Sequence, residues 1–180
     1  MGYKNREIEK KYVVANSRLT FKKVCDLVEG LFEKASFLEK GSSKDFYWHS
    51  PRPSAADFIR LRNMPNGTGQ LTLKRADRGS NINRIEIDVE VQDPKQTRKF
   101  LAQLLGSPIG TIHKDYSALF IDDHDTNVSV YKIKGNPKVF IEIEARSLSL
   151  VNKISKQISS VIEMRQEKRS LYQLFFKEKK

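Results

Sequence analysis

The chain has a single cysteine, Cys25, so it can form no internal disulfide, and the apolar residues around that position suit a buried thiol in a reducing compartment. Redox chemistry is not expected of it. No apolar run approaches the ~18 residues of a membrane-spanning helix. The opening residues Met1 to Arg6 show neither a signal-peptide core nor a myristoylation pattern. The expectation is a cytoplasmic protein with no membrane partner. There is no Gly-x-x-x-x-Gly-Lys-Ser/Thr loop, which excludes the P-loop way of holding phosphates. His49, His113 and His124 lack metal-ligand spacing and read as surface or packing residues. No repeat, linker or shift of composition divides the 180 residues, a length that suits one domain, 1–180, with its own core.

Acids are the scarcer charged class: 22 Asp and Glu against 33 Lys and Arg leave a formal charge of +11. The summed field attracts polyanions such as phosphates, nucleic acid or an anionic surface. Charge alone does not choose between a small triphosphate and an RNA chain, which carry the same groups.

Where the acids stand is more informative. Glu7, Glu9 and Lys11 occupy alternate positions of a segment otherwise spaced as a β-strand. Side chains two apart on a strand share a face, so two carboxylates and an ammonium project together, a set that suits a divalent cation and its anionic ligand. The same alternation recurs. Arg84, Glu86, Asp88 and Glu90 oppose Ile85, Ile87, Val89 and Val91, while Glu142 and Glu144 oppose Val139, Ile141, Ile143 and Ala145. Arg60 and Arg62 oppose Ile59 and Leu61, and Gln70, Thr72 and Lys74 oppose Leu71 and Leu73. One account is an antiparallel sheet with one face in water. The segregation of sign among strands favours another, a closed barrel whose charged faces look at one another while helices cover the apolar outside. Buried charge needs partners, and a metal with a polyphosphate supplies them.

The hydrophobic periods predict strands at about 6–14, 45–49, 57–63, 70–76, 84–92, 111–120, 127–134 and 138–145. Pro65-Asn66-Gly67 joins the third and fourth in a hairpin. Helices are expected over about 19–35, capped by Ser17 or Asn16, and over 94–106, opened by Asp93-Pro94. Two more are expected over about 148–162 and 167–176, the former placing Leu148, Val151, Ile154, Ile158 and Val161 on one stripe. Asp122 to Asp125 reads as a solvated turn. Phe46, Tyr47, Trp48 and His49 look exposed and suited to base stacking, which together with the +11 charge supports a competing reading, a non-catalytic binder of nucleic acid or polyphosphate.

Taken in order, these motifs resemble those of the CYTH, or triphosphate tunnel metalloenzyme, family, named for class IV adenylyl cyclases and thiamine triphosphatases. The first-strand signature Glu-x-Glu-x-Lys matches Glu7, Glu9 and Lys11. Ile59-Arg-Leu-Arg62 is similar to its Arg-x-Arg strand, and Leu71-Thr-Leu-Lys74 to its Leu-Thr-x-Lys strand. Arg84-Ile-Glu86 resembles a later Arg-x-Glu strand, Glu142-Ile-Glu144 the late Glu-x-Glu strand, and Lys168 with Tyr172 a C-terminal helix bearing a lysine four residues before a tyrosine.

The resemblance implies an α+β fold, an eight-stranded antiparallel β-barrel with helices packed on the outside, whose tunnel takes a triphosphate with Mg²⁺ or Mn²⁺. It makes Glu7, Glu9, Glu142 and Glu144 metal ligands, and Lys11, Arg60, Arg62, Lys74, Arg84, Lys114 and Lys168 phosphate holders, with Glu86 or Glu144 orienting the attacking water. The family often carries an acid on the strand before its late Glu-x-Glu, where this chain has Val130 or Tyr131. It tends to place an arginine where this chain has Tyr116, so that a phosphate contact is lost or handed to Lys132. Tyr12, Trp48 and Tyr131 are expected at the tunnel mouth. The implied reaction is metal-dependent hydrolysis of inorganic tripolyphosphate, a nucleoside triphosphate or thiamine triphosphate. Cyclisation of ATP to cyclic AMP and action on an RNA 5′ end are the alternatives, and a dimer is left open.

Overall fold

The computed structural model describes residues 6–32, 35–52, 57–76, 83–121 and 125–176; at residues 6, 7, 36–38, 76 and 83–85 the description is of the backbone alone. In chain order the elements are β1 (Arg6–Val14), α1 (Phe21–Leu31), β2 (Ala35–His49), β3 (Phe58–Asn63), β4 (Gly69–Ala76), β5 (Asn83–Val91) and α2 (Pro94–Leu105). They continue with β6 (Gly110–Ile121), β7 (Thr126–Ile133), β8 (Val139–Ala145), α3 (Leu148–Ser159), β9 (Met164–Glu167) and α4 (Leu171–Phe175). The strands form one sheet in the order β5-β4-β3-β2-β6-β7-β8-β1-β9. This order, with a further pairing of β5 and β1, establishes a nine-stranded sheet and does not confirm the closed eight-stranded barrel. The extra strand is β9, which pairs antiparallel with the second half of β1 just before the region where only a helix was expected. No described helix is long and apolar enough to cross a membrane.

The chain divides into two compact units, one of Met1–Arg6, Ser42–Lys114 and Arg169–Lys180, the other of Glu7–Gly41 and Asp115–Lys168. In the first, β3 and β4 form the expected hairpin, with Phe58 opposite Lys74 and Asn63 opposite Gly69. Gly67 takes the positive φ, +87°, that its turn demands. Gly69 is needed for a different reason: a Cβ there would lie 2.6 Å from the Arg62 carbonyl oxygen. The apolar faces of these strands meet α2, where Leu101 and Leu105 pack on Phe46, Trp48, Ile59, Leu61, Leu71 and Val91. Asp93 caps α2 by accepting from the Gln96 amide, with Pro94 in the first turn, as its sequence predicts. Ile87 and Val89, assigned to the covered face, are instead exposed.

In the second unit α1 and α3 lie against the apolar face of β1, β7 and β8. Val24, Cys25 and Val28 of α1, Val151, Ile154 and Ile158 of α3, and Val128, Val130, Ile141 and Ile143 of the strands form its core. Full burial of each large aliphatic side chain contributes about 1.5–3 kcal/mol. The cap of α1 is Thr20 rather than Ser17 or Asn16, because the Asn16 carboxamide is engaged in a turn by the Arg18 amide. Helix α3 stops at Ser159, so Val161, expected on its stripe, lies beyond it and is exposed.

Two corrections concern elements whose side chains carry no clear period. β2 begins at Ala35 rather than near 45, because its polar stretch Gly41-Ser-Ser-Lys44 is held by pairing and not by apolar alternation. The C-terminal helix begins at Leu171, where Ser170 and Gln173 make a reciprocal capping box.

Candidate active site

In the second unit, β1 and β8 are antiparallel with Glu9 opposite Glu144 and Lys11 opposite Glu142. Directly opposed residues have Cβ atoms about 4.5–5.5 Å apart, and like charges so placed repel. Glu9 with Glu144 is such a pair. Lys11 is nearly fully buried, and its Nζ lies 3.0 Å from Glu142 Oε1. The same carboxylate oxygen accepts from the Tyr131 phenol at 3.0 Å. Tyr131, which with Val130 was expected where an acid is often found, is the partner of an acid. It also stacks on Phe140, with ring planes 10° apart.

Parity along β7 sorts the remaining candidates of this unit. Val128 and Val130 face the helices, so Lys132 does too: its ammonium lies over the Phe21 ring and 3.2 Å from Asp115. The structure does not bring Lys132 to the carboxylates. Lys168 is exposed between β9 and α4 rather than on a helix. The backbone of Glu7 continues β1, but its side chain lies outside the described set. Neither Tyr12 nor Trp48 stands at a mouth. Tyr12 is buried in the second unit's core with its hydroxyl 2.7 Å from Ser155 Oγ, and Trp48, in the first unit, donates its indole N–H to the Gly106 carbonyl.

In the first unit, the polar faces of β2 to β5 carry Asp45, Arg60, Arg62, Thr72, Lys74, Glu86 and Asp88, fixed to one side by register. Lys74 Nζ lies 2.7 Å from Glu86 Oε2, and Arg60 Nη2 lies 3.5 Å from Oε1 of the same residue. Arg60 Nη2 also donates to Thr72 Oγ1 at 2.8 Å, and that hydroxyl donates to Asp88. Arg60 Nε is buried with no hydrogen-bond acceptor. A buried donor left without an acceptor costs ~1–3 kcal/mol. The side chain of Arg84 is outside the described set.

The residue that the sequence reading missed is Asp45. It is fully buried and accepts from Arg62 Nε at 2.9 Å and Nη2 at 3.0 Å. Lys114 Nζ lies 3.2 Å from Oδ2, the oxygen that accepts from Arg62 Nη2, and Ser43 donates to Oδ1 at 3.2 Å. Burial pushes the Asp45 carboxyl up, but the Lys114 ammonium and the Arg62 guanidinium outweigh it and hold the group ionised, well below the usual carboxylate range. Lone among aromatic neighbours, Asp45 gave no pattern to read. Those neighbours are themselves a correction: Phe46, Tyr47 and Trp48 are core residues rather than a stacking platform, and only His49 is exposed. A cavity of about 490 Å³ opens in the second unit between the segment after β1, the β7–β8 turn and β9; none of the candidate site residues lines it.

Comparison with known proteins bears on the fold. No family model matches the sequence, and no curated protein matches it significantly. Solved structures do match. A conserved hypothetical protein from Pyrococcus furiosus superposes with a TM-score of 0.74 at 18% identity, over 94% of this chain and 99% of that one. A candidate adenylate cyclase from Vibrio parahaemolyticus gives 0.72 at 14% identity, over 94% and 97%. HpAC1 from Hippeastrum, a candidate adenylyl cyclase said to have a dominant triphosphatase activity, gives 0.66 at 13% identity, over 94% of each chain. At these identities the likeness shows a shared fold.

Proposed function

We propose that this chain is a phosphohydrolase that acts on a triphosphate with the aid of Mg²⁺ or Mn²⁺. The observation that carries the reading is the register that sets Glu9 directly opposite Glu144. Two like charges held side by side are stabilised by a cation between them, and hard oxygen ligands suit Mg²⁺, which binds through one or two carboxylates and completes its shell with water and phosphate oxygens. Among the described residues no group of three or more acids or histidines could hold a metal ion. Two carboxylates fit Mg²⁺ on those terms, and Glu9 with Glu144 would hold it. Glu142, engaged by Lys11 and Tyr131, is assigned instead to positioning Lys11. When bound, the ion neutralises charge on the phosphate oxygens and makes the terminal phosphorus more open to attack.

The chain's own residues do the rest. Arg60, Arg62, Lys74 and Lys114 hold phosphate oxygens, for which guanidinium forks have matching geometry, and the buried Nε of Arg60 offers a donor to one of them. Glu86 keeps Lys74 and Arg60 in place. Phosphoryl transfer needs positioning and charge neutralisation more than covalent work, and these groups supply both.

Two features favour hydrolysis over the alternatives. The dominant triphosphatase activity stated for HpAC1, a candidate adenylyl cyclase of similar fold, supports the hydrolase reading. The burial of Phe46, Tyr47 and Trp48 removes the stacking surface on which a non-catalytic nucleic-acid binder would rely. The test is a release panel over tripolyphosphate, ATP, thiamine triphosphate and a 5′-triphosphorylated RNA, each with Mg²⁺ and with Mn²⁺. Orthophosphate is the expected product. Cyclic AMP with pyrophosphate would replace the hydrolase by a cyclase, and tight binding without turnover of any substrate would replace the enzyme by a binder.

A further inference from the structure

We infer that Asp45 is a positioning residue that sets the Arg62 fork and the Lys114 ammonium before the ligand arrives; this rests on the reading of those two cations as phosphate holders. Asp45 stands directly opposite Arg62 in the β2–β3 register, so the backbone delivers the pair. The contact uses both carboxylate oxygens and two of the guanidinium's five N–H donors, the fork geometry that fixes the plane of an arginine. Lys114 comes from β6, a strand on the other side of β2, and reaches the same carboxylate at 3.2 Å. Asp45 thereby ties cations from both of its neighbouring strands to one point, and Ser43, two residues along β2, donates to it as well.

Stability does not account for this arrangement. Replacing a buried ion cluster by well-packed apolar residues is often neutral or stabilising, so a fully buried aspartate between two cations calls for another role. Ordering supplies one. Fixing a long cationic side chain costs rotamer entropy, and Asp45 meets that cost on folding rather than at binding. It also limits charge: with Asp45 the three groups sum to +1, and without it to +2. Its removal therefore has two opposed consequences, a stronger pull on any polyanion and a looser hold on where the polyanion is placed.

The experiment is Asp45→Asn, which keeps the shape and one acceptor while removing the charge. On tripolyphosphate with Mg²⁺, kcat is expected to fall about tenfold or more, the scale of a sub-ångström to ångström misplacement, while KM stays level or drops. In the ligand-free protein the Arg62 Nε–H resonance should broaden or merge with those of solvent-exposed arginines. That reading does not depend on any activity. Unchanged kcat together with an unchanged Arg62 signal would overturn the inference, as would a raised KM at unchanged kcat. If Asp45→Asn does not fold, Asp45→Glu is read in the same way, since it keeps the charge but displaces the fork by one methylene: wild-type kcat in that variant overturns the inference and a lowered one supports it. Failure of the wild type to bind or hydrolyse tripolyphosphate is a separate result. It would strike the proposed function, whereas the Arg62 resonance would still report on the clamp.

Discussion

At the scale of single residues, the strand face decides which acids matter. Glu9→Gln keeps volume and polarity but removes one member of the Glu9–Glu144 pair, so the fold should persist. Metal-dependent phosphate release is expected to fall by about a hundredfold or more, the usual scale for loss of an electrostatic group at a reacting centre. Lys11→Ala should have a similar effect on turnover, with some loss of stability because the half-buried Glu142 loses its ammonium partner. Wild-type turnover in both variants, measured beside circular dichroism, would remove them from the mechanism. Cys25 offers a check on the core. Burial pushes its thiol up to about 11 from an ordinary 9.0. A raised folded value means that the neutral form is favoured in the native state, so this contribution to stability is complete below about pH 9 and is lost as pH rises through about 11. Urea midpoints of the wild type should decline over that window, and Cys25→Ala, less stable throughout, should show a shallower decline. An equal slope in both proteins would assign the alkaline loss to other groups.

At the scale of elements, the β3–β4 hairpin joins fold to function, because the turn that closes it stands beside Arg62. Gly69→Ala would drive a methyl group against the Arg62 carbonyl oxygen, a backbone atom with little room to yield. A cost of about 1–3 kcal/mol is expected, the range for overpacking, read as a lowered urea midpoint with a raised KM for tripolyphosphate. A midpoint within error of wild type would show that the hairpin accommodates the methyl group. This element was legible beforehand because Pro65-Asn66-Gly67 states the turn and the alternation of Arg60 and Arg62 states the face. The α2 cap and the opposed faces of β1 and β8 were legible for the same kind of local reason. Others were not. β9 is four residues long, and the first half of β2 has no apolar period, so pairing with a neighbour rather than local preference makes them strands. The misplacement of Lys132 has a related cause. A single step of parity along β7 moves a side chain to the other face, and only the pairing of Ser129 with Glu142 fixes that parity. Asp45 was hidden because its meaning lies in Arg62 and Lys114, residues distant in sequence that register brings to it.

For the whole molecule, the surplus of +11 and the internal pairing of its carboxylates make stability depend on what is bound. Ligand that binds the native state alone stabilises by RT ln(1 + [L]/Kd), about 2.7 kcal/mol at a hundredfold excess over Kd. If the carboxylates hold a cation and the lysines and arginines hold the phosphates of one ligand, each partner should raise the affinity for the other. Thermal midpoints are therefore expected to rise more with Mg²⁺ and tripolyphosphate together than by the sum of the two separate shifts. Glu9→Gln should abolish that excess while leaving the shift from tripolyphosphate alone largely in place. The phosphate-only shift should shrink as sodium chloride is raised, since exposed parts of the field are screened over about 10 Å at 0.1 M, whereas binding to the buried Lys74 and Lys114 should keep a salt-resistant remainder. Strictly additive shifts would mean that the two sets of groups act on separate ligands, and the proposal of a single metal–triphosphate substrate would then fall even if each ligand bound well.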